Sequence, residues 1–70
     1  MSTIDFELKG EFIELIKLLK FLGLCDTGGD AKNAVENKLV KYNGVIETQK
    51  RKKIRKGDKV QYNNTLITII

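Results

Sequence analysis

The residues of this sequence with the clearest chemistry form a run of positive charge. Residues 50–59 carry seven of the thirteen basic residues and a single acid. If Gln49–Lys56 is extended and Ile54 points to the core, Arg51, Lys53 and Arg55 project together from the opposite face. Such a row of cations neutralises phosphates, so the pattern predicts nucleic-acid binding. A solvated loop and a nuclear-localisation signal are the alternative interpretations.

Other basic residues are predicted to converge on this run. Lys32, Lys38 and Lys41 come from a helix and a strand that precede it in the sequence. Lys50 and Lys52 are expected at its rim. Aromatic side chains are few, which favours contact with the backbone and shape of structured RNA over base stacking along a single strand.

The charge is unevenly distributed along the chain. Residues 1–26 hold five acidic and three basic residues, a net of −2, whereas residues 27–70 hold four acidic and ten basic residues, a net of +6. The total of +4 and the pI of about 9.3 favour a polyanionic partner. With 70 residues and no proline, repeat or linker, residues 1–70 are predicted to form a single domain.

A glycine-rich stretch, Gly23–Lys32, is the second candidate site. The spacing of Gly23 and Gly28 resembles the opening of a P-loop, but glycine and aspartate occupy the positions of its lysine and hydroxyl residue, which excludes that motif. Two interpretations stay open. Gly28 and Gly29 permit a tight turn into a helix, or they let a phosphate approach the helix N-terminus beside Lys32. Nearby acidic side chains disfavour the phosphate.

Several functional classes are disfavoured by what the composition lacks. Histidine, the commonest general base and metal ligand, is absent, so we predict no enzymatic activity, no metal and no cofactor. Asp26 and Asp30 alone are a weak metal site, and Asp30 is better explained as a helix cap. Cys25, the single cysteine, is predicted to be a packing residue in a reducing cytoplasm. The longest apolar segment, 12–24, is too short and too charged to span a bilayer.

Two helices are predicted ahead of the basic run. The first extends from Glu11 to about Leu22, with an apolar face so broad that it needs cover on more than one side. Phe6, Phe12 and Phe21 fall on apolar stripes and are expected in the core. The C-terminus of this helix is followed by a glycine, which suits the residue just past a helix end.

The second helix has a clear start. Thr27 is a good N-cap, and Asp30 three residues later completes a capping pattern. The second helix is predicted to end near Asn37-Lys38. Its predicted inner stripe is small and consists of Ala31, Ala34 and Val35.

The remaining segments are predicted to be strands, and Asn43-Gly44 strongly indicates a hairpin turn between two of them. Tyr42 and Tyr62 each follow a valine by two residues, which places them on the same strand face as that valine, so both are expected to be buried. The first and last strands are expected to pair and extend the sheet. The predicted strands are Thr3–Leu8, Val40–Tyr42, Val45–Thr48, Gln49–Lys56, Lys59–Tyr62 and Thr65–Ile70.

Three motifs occur in a recognisable order: the two-helix stretch Phe12–Lys32, the hairpin Val40–Gly44 and the turn Lys53–Asp58. Together they resemble the RNA-binding domain of ribosomal small-subunit protein S-four, the alpha-L RNA-binding motif. The resemblance covers about residues 12–62. It is greatest to short stand-alone bacterial members, which carry Gly-Gly before Ala-Lys.

The resemblance implies an α+β fold in which two packed helices lie against a small, mostly antiparallel sheet, here with terminal strands at 3–8 and 65–70. It implies RNA contact by the second helix and the strands after it. Carried over by position, the RNA-binding residues are Lys32, Lys41, Arg51, Lys53 and Arg55.

The sequence also departs from the family pattern. Glu14 and Ile16 stand where many relatives carry a basic residue and an aspartate, so the first helix is not expected to bind RNA. Lys56 replaces the usual proline and adds charge. Secondary RNA-binding residues are predicted at Lys38, Lys50, Lys52 and Lys56.

The favoured hypothesis is non-catalytic binding of structured RNA, such as ribosomal or transfer RNA, in association with the ribosome. A protein-interaction module is the alternative, because the apolar segment 66–70 would offer an open sheet edge for strand pairing. Duplex-DNA binding is a third possibility, but the second helix has few side chains able to read base edges.

Overall fold

The computed structural model describes residues 2–70. Within them the chain forms seven strands and two helices, in the order β1 Ser2–Phe6, β2 Ile13–Glu14, α1 Leu15–Phe21, α2 Gly28–Glu36, β3 Val40–Tyr42, β4 Val45–Ile46, β5 Lys53–Ile54, β6 Lys59–Tyr62 and β7 Thr65–Ile69. No helix in this range is long and apolar enough to cross a membrane.

The strands form a five-stranded sheet and a separate two-stranded one. The larger sheet has the order β1-β7-β6-β3-β4 and is antiparallel except for the parallel pair β1–β7. The smaller sheet pairs β2 with β5. The α+β class, the mostly antiparallel sheet and the pairing of the first and last strands are therefore confirmed. Because β7 lies between β1 and β6, the open C-terminal edge expected by the protein-interaction alternative is wrong.

The core lies between one face of the large sheet and the two helices. Alternation along β3 and β6 turns Val40 and Val60 inward, where both are fully buried. The small inner face of α2 lets it pack closely on α1, as its sequence predicts. The buried apolar residues are Leu8, Leu15, Leu18, Leu19, Cys25, Ala31, Ala34, Val35, Val40, Ile54, Val60, Ile67 and Ile69. Tyr42 and Tyr62 are half-buried against this core.

The start of the first helix differs from its prediction. The helix begins at Leu15 instead of Glu11, and Ile13 and Glu14 instead pair as a strand with Ile54 and Lys53. This partner lies far along the chain. Apolar periodicity reports a local pattern, so it cannot show that distant pairing wins over an extra helical turn.

The prediction that all three phenylalanines lie in the core is wrong for two of them. Phe21 is 74% exposed and Phe12 is 40% exposed. Phe6 is half-buried, with its ring edge-to-face on Phe21 at a centroid distance of 5.5 Å. In helix α1, Leu15, Leu18 and Leu19 are buried and Ile16 is half-buried against the core, whereas Phe21 at its end faces solvent.

The predicted long strand 49–56 is a further correction. Strand geometry is confined to Lys53 and Ile54, and a turn precedes it in which the Lys52 N–H donates to the Gln49 carbonyl at 3.1 Å. Ile54 is fully buried as predicted. Arg51 therefore lies in a turn, so the extended row that would align it with Lys53 does not form.

Candidate nucleic-acid interface

The basic segment, defined here as residues 50–56, is attached to the N-terminus of α1 by backbone hydrogen bonds. The Leu15 N–H donates to the Lys52 carbonyl at 2.9 Å, and the Ile16 N–H donates to the Lys50 carbonyl at 3.2 Å. Free N–H groups at a helix start require acceptors. Among residues 2–70 no side chain caps this end, so the carbonyls of the basic segment fill that role.

The centre of the basic segment is anchored by β5. Ile54 is buried opposite Ile13, and Lys53 pairs in register with Glu14. Because successive strand residues point to opposite sides, burial of Ile54 directs Lys53 and Arg55 to solvent. Both are exposed. The structure thus brings these two predicted RNA-binding residues together.

The C-terminal end of the segment is fixed by Asp58. Its carboxylate accepts from the Arg55 N–H and the Tyr42 hydroxyl, both at 2.8 Å, and more distantly from the Asn43 side chain at 3.5 Å. Burial raises the pKa of Asp58, but these hydrogen bonds outweigh it and hold that pKa below its ordinary value. The hydrogen bond to Asp58, with burial, raises the pKa of Tyr42. The carboxylate is therefore charged at neutral pH and joins the segment to the β3–β4 hairpin.

Aromatic rings lie beside three of the cations. The Lys52 Nζ is 5.1 Å from the centroid of Tyr42, and the Lys53 Nζ is 5.0 Å from that of Phe12. The guanidinium carbon of Arg55 is 5.9 Å from the same Phe12 ring. These are cation–π distances, and they limit where the long side chains move without using hydrogen-bond donors. The donors stay available for phosphate oxygens.

Helix α2 reaches the basic segment through one ion pair. The Lys50 Nζ lies 3.4 Å from the Glu36 carboxylate. Lys32 is one helical turn before Glu36 and shares its face, because side chains four residues apart on a helix are neighbours. Lys32 is exposed, and it lies on the same face of α2 as Glu36, the residue that pairs with the basic segment.

Lys41 occupies a different surface. In β3 it alternates with the inward-facing Val40 and Tyr42, so it projects from the sheet face opposite the helices. Its neighbours in register are Ile46 and Gln61. Lys41 is exposed there, and the structure does not bring it to the face that carries Lys53 and Arg55.

The remaining predicted residues lie at turns. Lys38 follows α2 with a φ of 62°, and its N–H donates to the Val35 carbonyl while the Leu39 N–H donates to the Ala34 carbonyl. This is a Schellman ending, a position where glycine avoids a cost of about 1 kcal/mol that lysine incurs. Lys38 and Lys56 are both exposed.

The glycine-rich stretch has a structural role that differs from the tight turn considered above. Gly28 and Gly29 are the first two residues of α2, and the Thr27 hydroxyl accepts from the Asp30 N–H at 3.1 Å, which confirms the predicted cap. Neither glycine has the positive φ that would require it. The glycine needed for a turn is Gly23, at φ 74° after α1.

Cys25 and its acidic neighbours also lie in this stretch. The thiol is buried, and burial raises its pKa, so it is a protonated packing group at neutral pH. Asp26 and Asp30 line an open depression beside it. Within residues 2–70, no three side chains of the acidic, cysteine or histidine type come together as a metal-binding group.

The roles of three residues important to this surface were not predicted from the sequence. Phe12 is hidden in an apolar pattern that looks helical, and no local signal separates it from core residues. Asp58 had a signal, because aspartate at a turn commonly accepts from nearby backbone N–H groups. Tyr42 was expected to be buried, but its hydroxyl is a hydrogen-bond donor whose partner only the fold reveals.

Comparison with known proteins gives a consistent result. A family model described as "S4 domain" matches residues 6–70. The chain is 36% identical over 62 residues to "Putative RNA-binding protein YbcJ" of Escherichia coli (strain K12), covering 89% of each protein, and equally to "Uncharacterized protein YbcJ" of Shigella flexneri. The solution structure of YbcJ from E. coli, described as revealing an αL motif involved in RNA binding, superposes with a TM-score of 0.74 at 34% identity. That match covers 100% of this chain and 90% of the other.

Proposed function

The chain belongs to the S4 domain family, and from this premise we propose that it binds structured RNA, of the ribosomal or transfer RNA kind, without catalysing a reaction. The similar protein from E. coli is named as RNA-binding, and its structure is described in the same terms. A cytoplasmic location and association with the ribosome belong to the same proposal, because that is where such RNA is found.

One observation carries the proposal. The basic segment is held in place by its own carbonyls, by buried Ile54 and by Asp58, so the fold fixes its backbone without using the cationic groups of Lys53 and Arg55. Lys53 and Arg55 point outward from a rigid support. Cations placed in this way favour phosphate binding, because ordering a flexible lysine loop on binding costs conformational entropy.

The proposed contacts differ in rank. Arg51, Lys53 and Arg55 bind the RNA backbone directly, and Lys32 extends the same surface along α2. Lys41 acts from the outer sheet face and contributes less. Secondary contacts to phosphates further from the centre are made by Lys38, Lys50, Lys52 and Lys56.

The decisive experiment measures how the affinity for a hairpin RNA depends on salt. Each phosphate neutralised by the protein steepens the plot of log affinity against log salt by about 0.9 on a duplex. The change Arg51→Ala with Lys53→Ala and Arg55→Ala is expected to make the slope less negative by about 2 to 3. Affinity at moderate salt should fall on the order of 100-fold.

A matched control removes the same charge elsewhere. The variant with Lys20 and Lys59 both changed to alanine loses two cations outside the proposed contacts, and it is compared with Lys53→Ala combined with Arg55→Ala. It is expected to shift the slope by less than about 1, through the weaker long-range field. Equal effects of the two variants, with unchanged melting temperatures, would refute the assignment to the basic segment.

A further inference from the structure

All three phenylalanines of the chain meet at one surface cleft. Phe6, Phe12 and Phe21 line a cleft of about 360 Å³ between the end of β1 and helix α1, together with the polar residues Glu7 and Lys9. Its other lining residues are Leu8 and Ile13. The volume lies in the range of small-molecule sites, and the lining is mainly apolar and aromatic.

These rings are exposed beyond what packing of the core requires. Phe21 keeps 74% of its surface in water and Phe12 keeps 40%, although the buried residues of α1 are leucines. Single exposed apolar residues are common, but a cluster of aromatic rings around a concave surface is typical of a binding site. Phe6 and Phe21 hold each other edge-to-face at 5.5 Å, which gives the cleft one preformed wall.

Two basic side chains lie at the border of the cleft beside Phe12, and other charged side chains lie in the cleft lining. Lys53 and Arg55 lie over Phe12, at 5.0 Å and 5.9 Å from its centroid, so the ring borders the basic segment directly. Glu7 and Lys9 both line the cleft itself, and their opposite charges offset each other, so the cleft offers no net positive charge to a phosphate. A ligand that fits this arrangement has an uncharged flat part for the cleft and an anionic part for the cations.

We propose that the cleft binds one unstacked nucleobase of the bound RNA, which stacks on Phe12 while its flanking phosphates lie against Lys53 and Arg55. The inference rests on the proposed RNA-binding function and adds a preference for RNA that offers an unpaired nucleotide beside a helix. A nucleotide joins a planar π-face to a phosphate within one residue, as the cleft requires. Apolar protein segments would meet the aromatic rings but leave both cations without a partner.

The test uses three RNA hairpins with the same stem. The first is fully paired, the second has one bulged nucleotide, and the third has an abasic residue at the bulge. The abasic RNA keeps the bend and the phosphates but lacks the base. Stacking of one base on an aromatic side chain is worth about five-fold to 100-fold in affinity. The wild-type chain is therefore expected to bind the bulged hairpin about ten-fold more tightly than the abasic one.

Two variants assign that preference to the ring. Phe12→Leu keeps an apolar side chain and is expected to bind the bulged and abasic hairpins equally. Phe12→Tyr keeps the aromatic face and is expected to retain the preference. Phe21→Leu should reduce it by a smaller factor. Val45→Ala, at an exposed apolar residue of the distant edge strand β4, should leave it unchanged. Melting temperatures establish that each variant folds.

Each result decides between this inference and the proposed function. If the wild type binds all three hairpins with a steep salt dependence but equally well, the RNA-binding proposal stands and the base site is refuted. A preference that survives Phe12→Leu, or is lost in Phe12→Tyr, also refutes it. Absence of binding to any hairpin overturns both. Concentration-dependent sedimentation abolished by Phe12→Leu would assign the cleft to a second copy of the chain.

Discussion

The N-termini of the two helices are completed in opposite ways. At α1, the backbone carbonyls of Lys50 and Lys52 accept from the first N–H groups. At α2, the side chain of Thr27 accepts from the Asp30 N–H. A segment held through its backbone keeps its side chains free for a ligand, whereas a turn held through its side chains has used them. This difference explains why the proposed RNA contacts concentrate in the basic segment and not in the glycine-rich stretch.

The largest effect of a single substitution on stability and RNA affinity is expected at Asp58, which holds the end of the basic segment. Asp58→Asn replaces a charged acceptor of two 2.8 Å hydrogen bonds and should lower the free energy of unfolding by about 2 kcal/mol. RNA affinity should fall as well, because Arg55 is no longer fixed. Urea denaturation and binding measurements check the two effects. A variant that loses stability with unchanged affinity would show that the fixed Arg55 backbone is not needed for binding.

The same residue predicts a pH dependence. The folded pKa of Asp58 lies below its unfolded value, so its stabilisation is fully present above the unfolded pKa and is lost as pH falls through the folded one. The stability difference between wild type and Asp58→Asn should therefore shrink between about pH 5 and pH 2. Denaturation at several pH values measures this, and a difference that stays constant across the range would contradict it.

A smaller effect is expected at the α2 cap. Thr27→Ala removes the acceptor of the Asp30 N–H and should cost about 1 kcal/mol of stability, while Thr27→Ser should restore most of it. RNA affinity at a temperature where the chain stays folded should change less than about two-fold, because the turn contributes geometry and not contacts. A loss of affinity in both variants that exceeds their loss of stability would bring the turn into the interface.

The two glycines at the start of α2, Gly28 and Gly29, should respond in the opposite direction. An added Cβ at Gly28 meets no described atom within 4 Å, and at Gly29 it meets the Thr27 hydroxyl oxygen at an ordinary 3.7 Å. Changing both to alanine is therefore expected to raise stability, by about 0.5 kcal/mol for each. Gly44→Ala is the matched control. Its φ of 88° makes alanine strained, and it should lower the melting temperature.

The smallest effect concerns the link between the two regions. Glu36→Gln releases Lys50 from an exposed ion pair and should change stability by less than about 0.5 kcal/mol. Hairpin-RNA affinity should rise about two-fold and its salt slope should steepen slightly, because Lys50 becomes free to bind phosphate. Fluorescence anisotropy at several salt concentrations measures both. A fall in affinity would indicate that the ion pair positions Lys50 for binding.

Features set by local chemistry were predictable from the sequence. Thr27 caps α2 and Asn43-Gly44 closes a hairpin because each needs only its immediate neighbours. The α+β class followed from the same local signals and from the family resemblance. Lys53 and Arg55 were named correctly as neighbours on one surface, since buried Ile54 between them sets their direction.

Features set by distant pairing were not predictable in this way. Ile13 and Glu14 form a strand because Ile54 and Lys53 lie beside them, and no periodicity in residues 11–22 reports that partner. The exposure of Phe21 is also invisible in the local pattern, because its apolar spacing matches that of the buried leucines of α1. The cleft lined by aromatic rings was therefore invisible until the fold was known.

The hydrogen bonds between the start of α1 and the basic segment also bear on the order of folding. Helix α2 with its Thr27 cap and the β3–β4 hairpin need only nearby residues, and such local units form quickly. The start of α1 must wait for carbonyls far along the chain, which requires closing a long loop. We expect pulsed hydrogen exchange to show the Leu15 and Ile16 amides protected after those of α2, so the proposed RNA-binding surface would be among the last parts of the molecule to become ordered.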